Sequence, residues 1–225
     1  MLHLMTLLKM MERTDCKMEI PESPRYEYAR KQVIDTLIEY GTNTLPISVK
    51  KISNNLPYKI LFNTYSHLMK NNGFTYDEIC KAYKSEDGAA LIGYDGYCIL
   101  YNDIDRSSQR IRFTLAHELG HIVLGHLKFN TCLCRLSGQE YDILEKEANQ
   151  FASQLLSPEP LIYDILKESH KINTSQIRDI FDISYKSADC VIKRMDARGG
   201  IFCYRAETLH NLYAGPLNEI HQIYM

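Results

Sequence analysis

Apolar residues recur along this chain with two different periods, and the changes of period mark its elements. In PRYEYARKQVIDTLIEYG, residues 24–41, Ala29, Val33, Ile34, Leu37 and Ile38 fall three and four apart. That spacing predicts an amphipathic helix stopped at Gly41. Residues 47–83 are mixed in pattern, with short helices expected around breaks at Pro57 and at Asn71-Asn72-Gly73. ALIGY and YCILY then read as two short strands joined tightly at Asp95-Gly96, a hairpin signal. A polar connection, residues 106–110, leads into FTLAHELGHIVLGH, where the helical period returns with Leu115, Ala116, Leu119, Ile122, Val123 and Leu124. After the loop LKFNTCLCRL, Ser137 and Glu140 fit a capping box, opening a helix that runs to Leu156 before Ser157-Pro158. Helices are expected again near 160–169, 175–181 and 186–198, while residues 201–225 show no usable pattern. Many helices with one small sheet predict an α+β fold.

The chemistry concentrates in HELGH, residues 117–121. On a helix, His117 and His121 lie ~40° apart and leave one face a turn apart, so both imidazoles can share one tetrahedral zinc. Glu118, ~100° round, falls beside such a metal, placed to move a proton from an activated water to a leaving amine. The remaining positions of the helix are apolar, and two histidines and a carboxylate without a task would be costly to bury there. His126 would sit ~180° from His117 on a continued helix and is expected to be a surface or helix-end residue. Cys132 and Cys134 lack a second pair and read as free thiols.

A third ligand is expected from ILEKEANQFASQLLSP, where Tyr141, Leu144, Ala148, Phe151, Ala152 and Leu155 form one stripe. Glu145 borders that stripe beside the small residues Ala148 and Ala152, which would let a metal-bearing helix come close. Glu147 falls among Glu140, Gln150 and Gln154, as on a solvated face. Glu145 is therefore favoured, Glu147 is the alternative, and Asn149, four residues on from Glu145, is expected to hold a ligand histidine from behind.

With 45% hydrophobic and 24% charged residues over 225 positions, the chain is globular rather than disordered. A net charge of -2 gives no sign of nucleic acid or an anionic membrane as partner. Seven scattered cysteines suit reduced thiols in a cytoplasm, not a secreted disulfide framework. MLHLMTLLKMM has no basic start and is interrupted by Lys9, so it reads as a loose helix rather than a signal peptide, and the natural start could lie at Met5, Met10, Met11 or Met18. No apolar run reaches the ~20 residues of a membrane span.

RFTLAHELGH followed by EKEANQFASQLLSP resembles the ImmA/IrrE family of metallo-endopeptidases, over roughly residues 90–200. The resemblance implies a zincin-like domain (small sheet plus HExxH helix), one zinc per chain held by His117, His121 and Glu145, and Glu118 as general base. It also implies a bacterial, phage or integrative-element setting and a helix-turn-helix repressor as the cleaved partner. Members with an added sensory domain run longer past the helical appendage, so the mobile-element type is the closer likeness. The domain division expected is a flexible segment at 1–21, a metallopeptidase domain at 22–158, a helix-turn-helix-like appendage at 159–200 and a tail at 201–225.

The run 97–101 is expected to bind an extended substrate through Tyr97, Ile99 and Tyr101 by strand addition. In the appendage Arg178, Lys186, Lys193, Arg194 and Arg198 interleave with Asp179, Asp182, Asp189 and Asp196, a poor face for phosphates, so direct DNA binding is not expected. The competing function is a zinc-containing regulatory partner, of a toxin–antitoxin or transcription complex, without useful proteolysis. A purely structural zinc would leave Glu118 idle and usually closes with four protein ligands.

Overall fold

The structure, a computed structural model, describes residues 20–128, 133, 136, 138–168, 173–198 and 203–224. The expectations for residues 1–19, for Cys132 and Cys134 and for the capping Ser137 lie outside them. In chain order the described elements are α1 (Tyr26–Tyr40), α2 (Val49–Asn55), β1 (Ile60–Thr64), α3 (Tyr65–Asn72), α4 (Tyr76–Tyr83), β2 (Gly88–Gly93), β3 (Gly96–Tyr101), α5 (Ser108–Val123), a 3-10 turn (His126–Lys128), α6 (Gly138–Leu156), α7 (Glu159–Glu168), α8 (Thr174–Phe181), α9 (Tyr185–Arg198) and α10 (Ala206–Tyr224). The content is α+β, as expected.

The chain forms two compact units, Met1–Tyr26 with Pro57–Asn149, and Glu27–Leu56 with Gln150–Met225. The division between them falls within α6, whereas the boundaries expected at 158 and 200 follow local breaks in sequence such as Ser157-Pro158.

The first unit holds a three-stranded sheet in the order β1-β3-β2. β2 and β3 are the expected hairpin, closed by the pair Gly93↔Gly96, with β1 running parallel to β3 from Ile60↔Tyr97 to Thr64↔Tyr101. β1 was not anticipated: ILFNT is short, does not alternate, and owes its strand state to a partner 37 residues away. α5 packs on β2 and β3, burying Leu115, Ala116, Leu119 and Ile122. Its start is fixed by Ser107, whose hydroxyl accepts from the Arg110 N–H.

Gly96 carries the hairpin's geometry, with φ 141° and an ideal Cβ position only 2.3 Å from the Lys59 carbonyl oxygen. Gly96→Ala must therefore push β1 and β3 apart or strain the turn. A loss of about 2 kcal/mol is expected, read as a fall in melting temperature of roughly 4–8 °C. An unchanged melting temperature would show that the turn relaxes freely.

In the second unit α10 packs on α7, and α8 on α9. α10 corrects the reading of residues 201–225 as a patternless tail. Leu209, Tyr213, Leu217 and Ile220 recur three and four apart and are buried, but Pro216 inside the helix masks the signal.

Candidate metal and catalytic centre

α5 and α6 bring His117, His121 and Glu145 together, with one ligand atom from each lying within 4.8 Å of the others. His121 Nε2 is 3.0 Å from His117 Nε2. The two Nε2 atoms lie 3.3 Å and 3.2 Å from the Glu145 carboxylate oxygens. Behind His117, its Nδ1 is 3.1 Å from Asn149 Oδ1. An amide oxygen only accepts, so Nδ1 carries the proton and Nε2 presents a lone pair. The small residues Ala148 and Ala152 of α6 are fully buried.

Glu118 lies in the same cleft as these three residues, beside Tyr141 and the β2 residues Ala89 and Ala90. Its carboxylate accepts from the Ala90 N–H, yet burial, opposed by His117 and reinforced by the Glu145 charge, pushes its pKa up to about 7. Burial lowers His121 to about 3, so its ring is neutral. Burial alone would raise Glu145, but the His117 and His121 imidazoles beside it outweigh burial and hold this carboxylate well below the usual range. Burial would lower His117, yet the Glu145 hydrogen bond and the charges of Glu118 and Glu145 prevail and raise it. The cluster is thus a gathering of acceptors that draws in a positive charge.

Glu147, the alternative ligand, is elsewhere. It is not solvated as expected but 0% exposed, and it turns away from the cluster. Its carboxylate accepts from the Arg25 backbone N–H at 2.7 Å and from Arg25 Nε and Nη2 at 2.9 Å each. His126 Nε2 completes its contacts at 3.0 Å. Burial opposes ionisation here, but the His126 and Arg25 hydrogen bonds win and lower Glu147 to about 2.

His126, expected as a surface or helix-end residue, lies just past the end of α5 and is wholly buried rather than on the surface. α5 does not continue to it. Gly125, with φ 78°, ends the helix in a left-handed turn and folds His126 back, so that its Nδ1 lies 2.9 Å from His121 Nδ1.

Arg25→Ala would strip this buried carboxylate of its charged partner. The expected cost is about 2 kcal/mol in urea unfolding, below the ~3–5 kcal/mol for fully buried pairs because the Arg25 side chain is 40% exposed and its backbone donor stays. Lys193→Ala, which breaks the exposed pair with Asp189, should leave the urea midpoint almost unchanged.

Tyr97, Ile99 and Tyr101 are not where a peptide could add. β3 is the middle strand, both its edges are taken by β1 and β2, and none of the three lines the cleft. Among the described residues β2 is the edge strand beside the cleft, which Ala89 and Ala90 line. Tyr141, missed among sixteen tyrosines, hydrogen-bonds Glu145 from the cleft wall, and burial pushes its hydroxyl well above the usual range.

No helix among the described residues is long and apolar enough to cross a membrane. No curated protein matches the chain. Residues 70–192, more than half of the sequence, match the Peptidase_M78 family, described as an IrrE N-terminal-like domain. This match takes in α5 and α6 with the whole His117, His121 and Glu145 cluster, and the chain belongs to the ImmA/IrrE family, a family of metallopeptidases.

Proposed function

We propose that the chain is a zinc-dependent, site-specific endopeptidase that cleaves a helix-turn-helix transcriptional repressor of a mobile element or stress response. The observation that carries this reading is the convergence of three acceptor atoms, from His117, His121 and Glu145, beside the buried carboxyl of Glu118. Two imidazoles and one carboxylate are the donor set of an open catalytic zinc site, so the residues fit the metal. Bound there, zinc would polarise a peptide carbonyl and acidify a water. Glu118 takes the proton from that attacking water and hands it to the leaving amine. Asn149 fixes the ring of His117. Tyr141 lines the cleft, and its hydroxyl, released when Glu145 takes the metal, would be offered to a developing oxyanion. An extended linker of the substrate is offered the edge of β2 rather than β3.

Direct contact with DNA is not part of this reading. Arg178 is paired with Asp179 and Lys193 with Asp189, which uses up the charge a phosphate would need. Cys80, Cys98, Cys190 and Cys203 are thiols rather than halves of disulfides, which suits a cytoplasmic protein. The test is co-expression with each helix-turn-helix regulator of the same genome, reading fragments by mass spectrometry, with Glu118→Gln as control. One regulator cut only by the wild type is expected. Induction of the regulated genes that survives Glu118→Gln would replace proteolysis with a binding role.

A further inference from the structure

Behind the cluster, on the side away from the cleft, runs a line of buried polar contacts that the mechanism above does not use. His121 Nδ1 meets His126 Nδ1 at 2.9 Å, His126 Nε2 meets Glu147 at 3.0 Å, and Glu147 meets Arg25 through three hydrogen bonds. His126 and Glu147 are both 0% exposed, so neither can turn to water instead.

One order of protons suits every contact along this line. Three Arg25 donors point at the Glu147 carboxylate, so towards His126 it is an acceptor. His126 must then carry its proton on Nε2, which leaves a lone pair on Nδ1. That lone pair requires the proton of His121 to sit on Nδ1, and so His121 Nε2 has none. The reverse order would set a bare His126 Nε2 against a buried carboxylate with no proton between them, an expensive arrangement at this depth.

We infer that Arg25, Glu147 and His126 are positioning residues that lock His121 in the tautomer able to ligate metal, and that Arg25, outside the matched residues 70–192, anchors the line from the chain before α1. This rests on the metal-site reading given above. Asn149 does the same for His117 by a single hydrogen bond, so each ligand histidine has its own support. The His121 support is the longer, reaching a surface arginine 40% exposed.

The experiment is zinc affinity by chelator competition on the full chain, for wild type, His126→Phe and His126→Gln, with imidazole tautomers read by long-range 1H–15N NMR on the wild type. Phenylalanine fills the space but offers no acceptor, and a 10–100-fold loss of zinc affinity is expected, the usual range for outer partners of a ligand histidine. Glutamine can accept from His121 and donate to Glu147, and should restore most of that loss. The NMR spectrum of zinc-loaded wild type should show the proton on Nδ1 of His121 and on Nε2 of His126.

Equal affinity in wild type and His126→Phe, or His126 protonated on Nδ1 alone, overturns the inference while leaving the metal site intact. Absence of zinc binding by the wild type overturns the metal reading and the inference with it. Should His126→Phe fail to fold, the wild-type tautomers decide.

Discussion

Glu118→Gln is expected to keep its zinc and its fold while losing about 10²–10⁴-fold in kcat/KM for peptide cleavage. Glutamine matches the shape of glutamate, and its amide oxygen can still accept from the Ala90 N–H that the carboxylate uses. What it cannot do is take a proton from water and return it to an amine. Burying an amide in place of a carboxyl already pushed up to about 7 removes a desolvation cost, so the melting temperature should hold or rise. Zinc affinity should change by only a few-fold, because the three converging atoms belong to other residues. A stable, metal-loaded variant that still cleaves within tenfold of wild type would remove Glu118 from the chemistry. Tyr141 would then be the next group in the cleft to test.

The part of this centre that was legible in the sequence is the part set by one helix at a time. His117 and His121 share a face because of helical spacing alone, and Glu145 was singled out by the small residues beside it on its own helix. What sequence could not supply is whatever another segment decides. Glu147 sits among polar neighbours on α6 and looks solvated, but Arg25, 122 residues earlier, covers it. His126 was placed by continuing a helix that Gly125 in fact ends. A glycine after a long apolar helix is a stop signal, and heeding it would have removed the angle argument against His126. The misassigned substrate strand has the same origin. Whether 97–101 is an edge or an interior strand depends on β1, and β1 has no pattern of its own. Neither spacing nor the family resemblance reached Arg25, which lies outside the matched residues.

Glu145→Ala and His121→Ala are expected to abolish zinc binding, each costing well over the hundredfold that marks loss of an outer partner. The clearest reading is thermal. Zinc at a hundred times its Kd stabilises a folded protein by about 2.7 kcal/mol, roughly 5–11 °C for a chain of this size. Wild type should show that rise and both variants none. Without metal the order changes. The Glu145 carboxylate lies 3.2 and 3.3 Å from two imidazole nitrogens that favour its ionised form. Glu145→Ala removes those contacts, so the metal-free variant should melt slightly below metal-free wild type. His121→Ala, which empties a buried position and orphans His126, should melt several degrees lower. Glu147→Ala is the control for ligand identity. It should lower zinc affinity 10–100-fold and still bind, since Glu147 lies behind His126 and not in the cluster. If instead Glu145→Ala keeps the zinc-dependent rise and Glu147→Ala loses it entirely, α6 must turn on metal binding to present its other acid, and the hydrogen bonds that hold Glu147 to Arg25 must break to allow it.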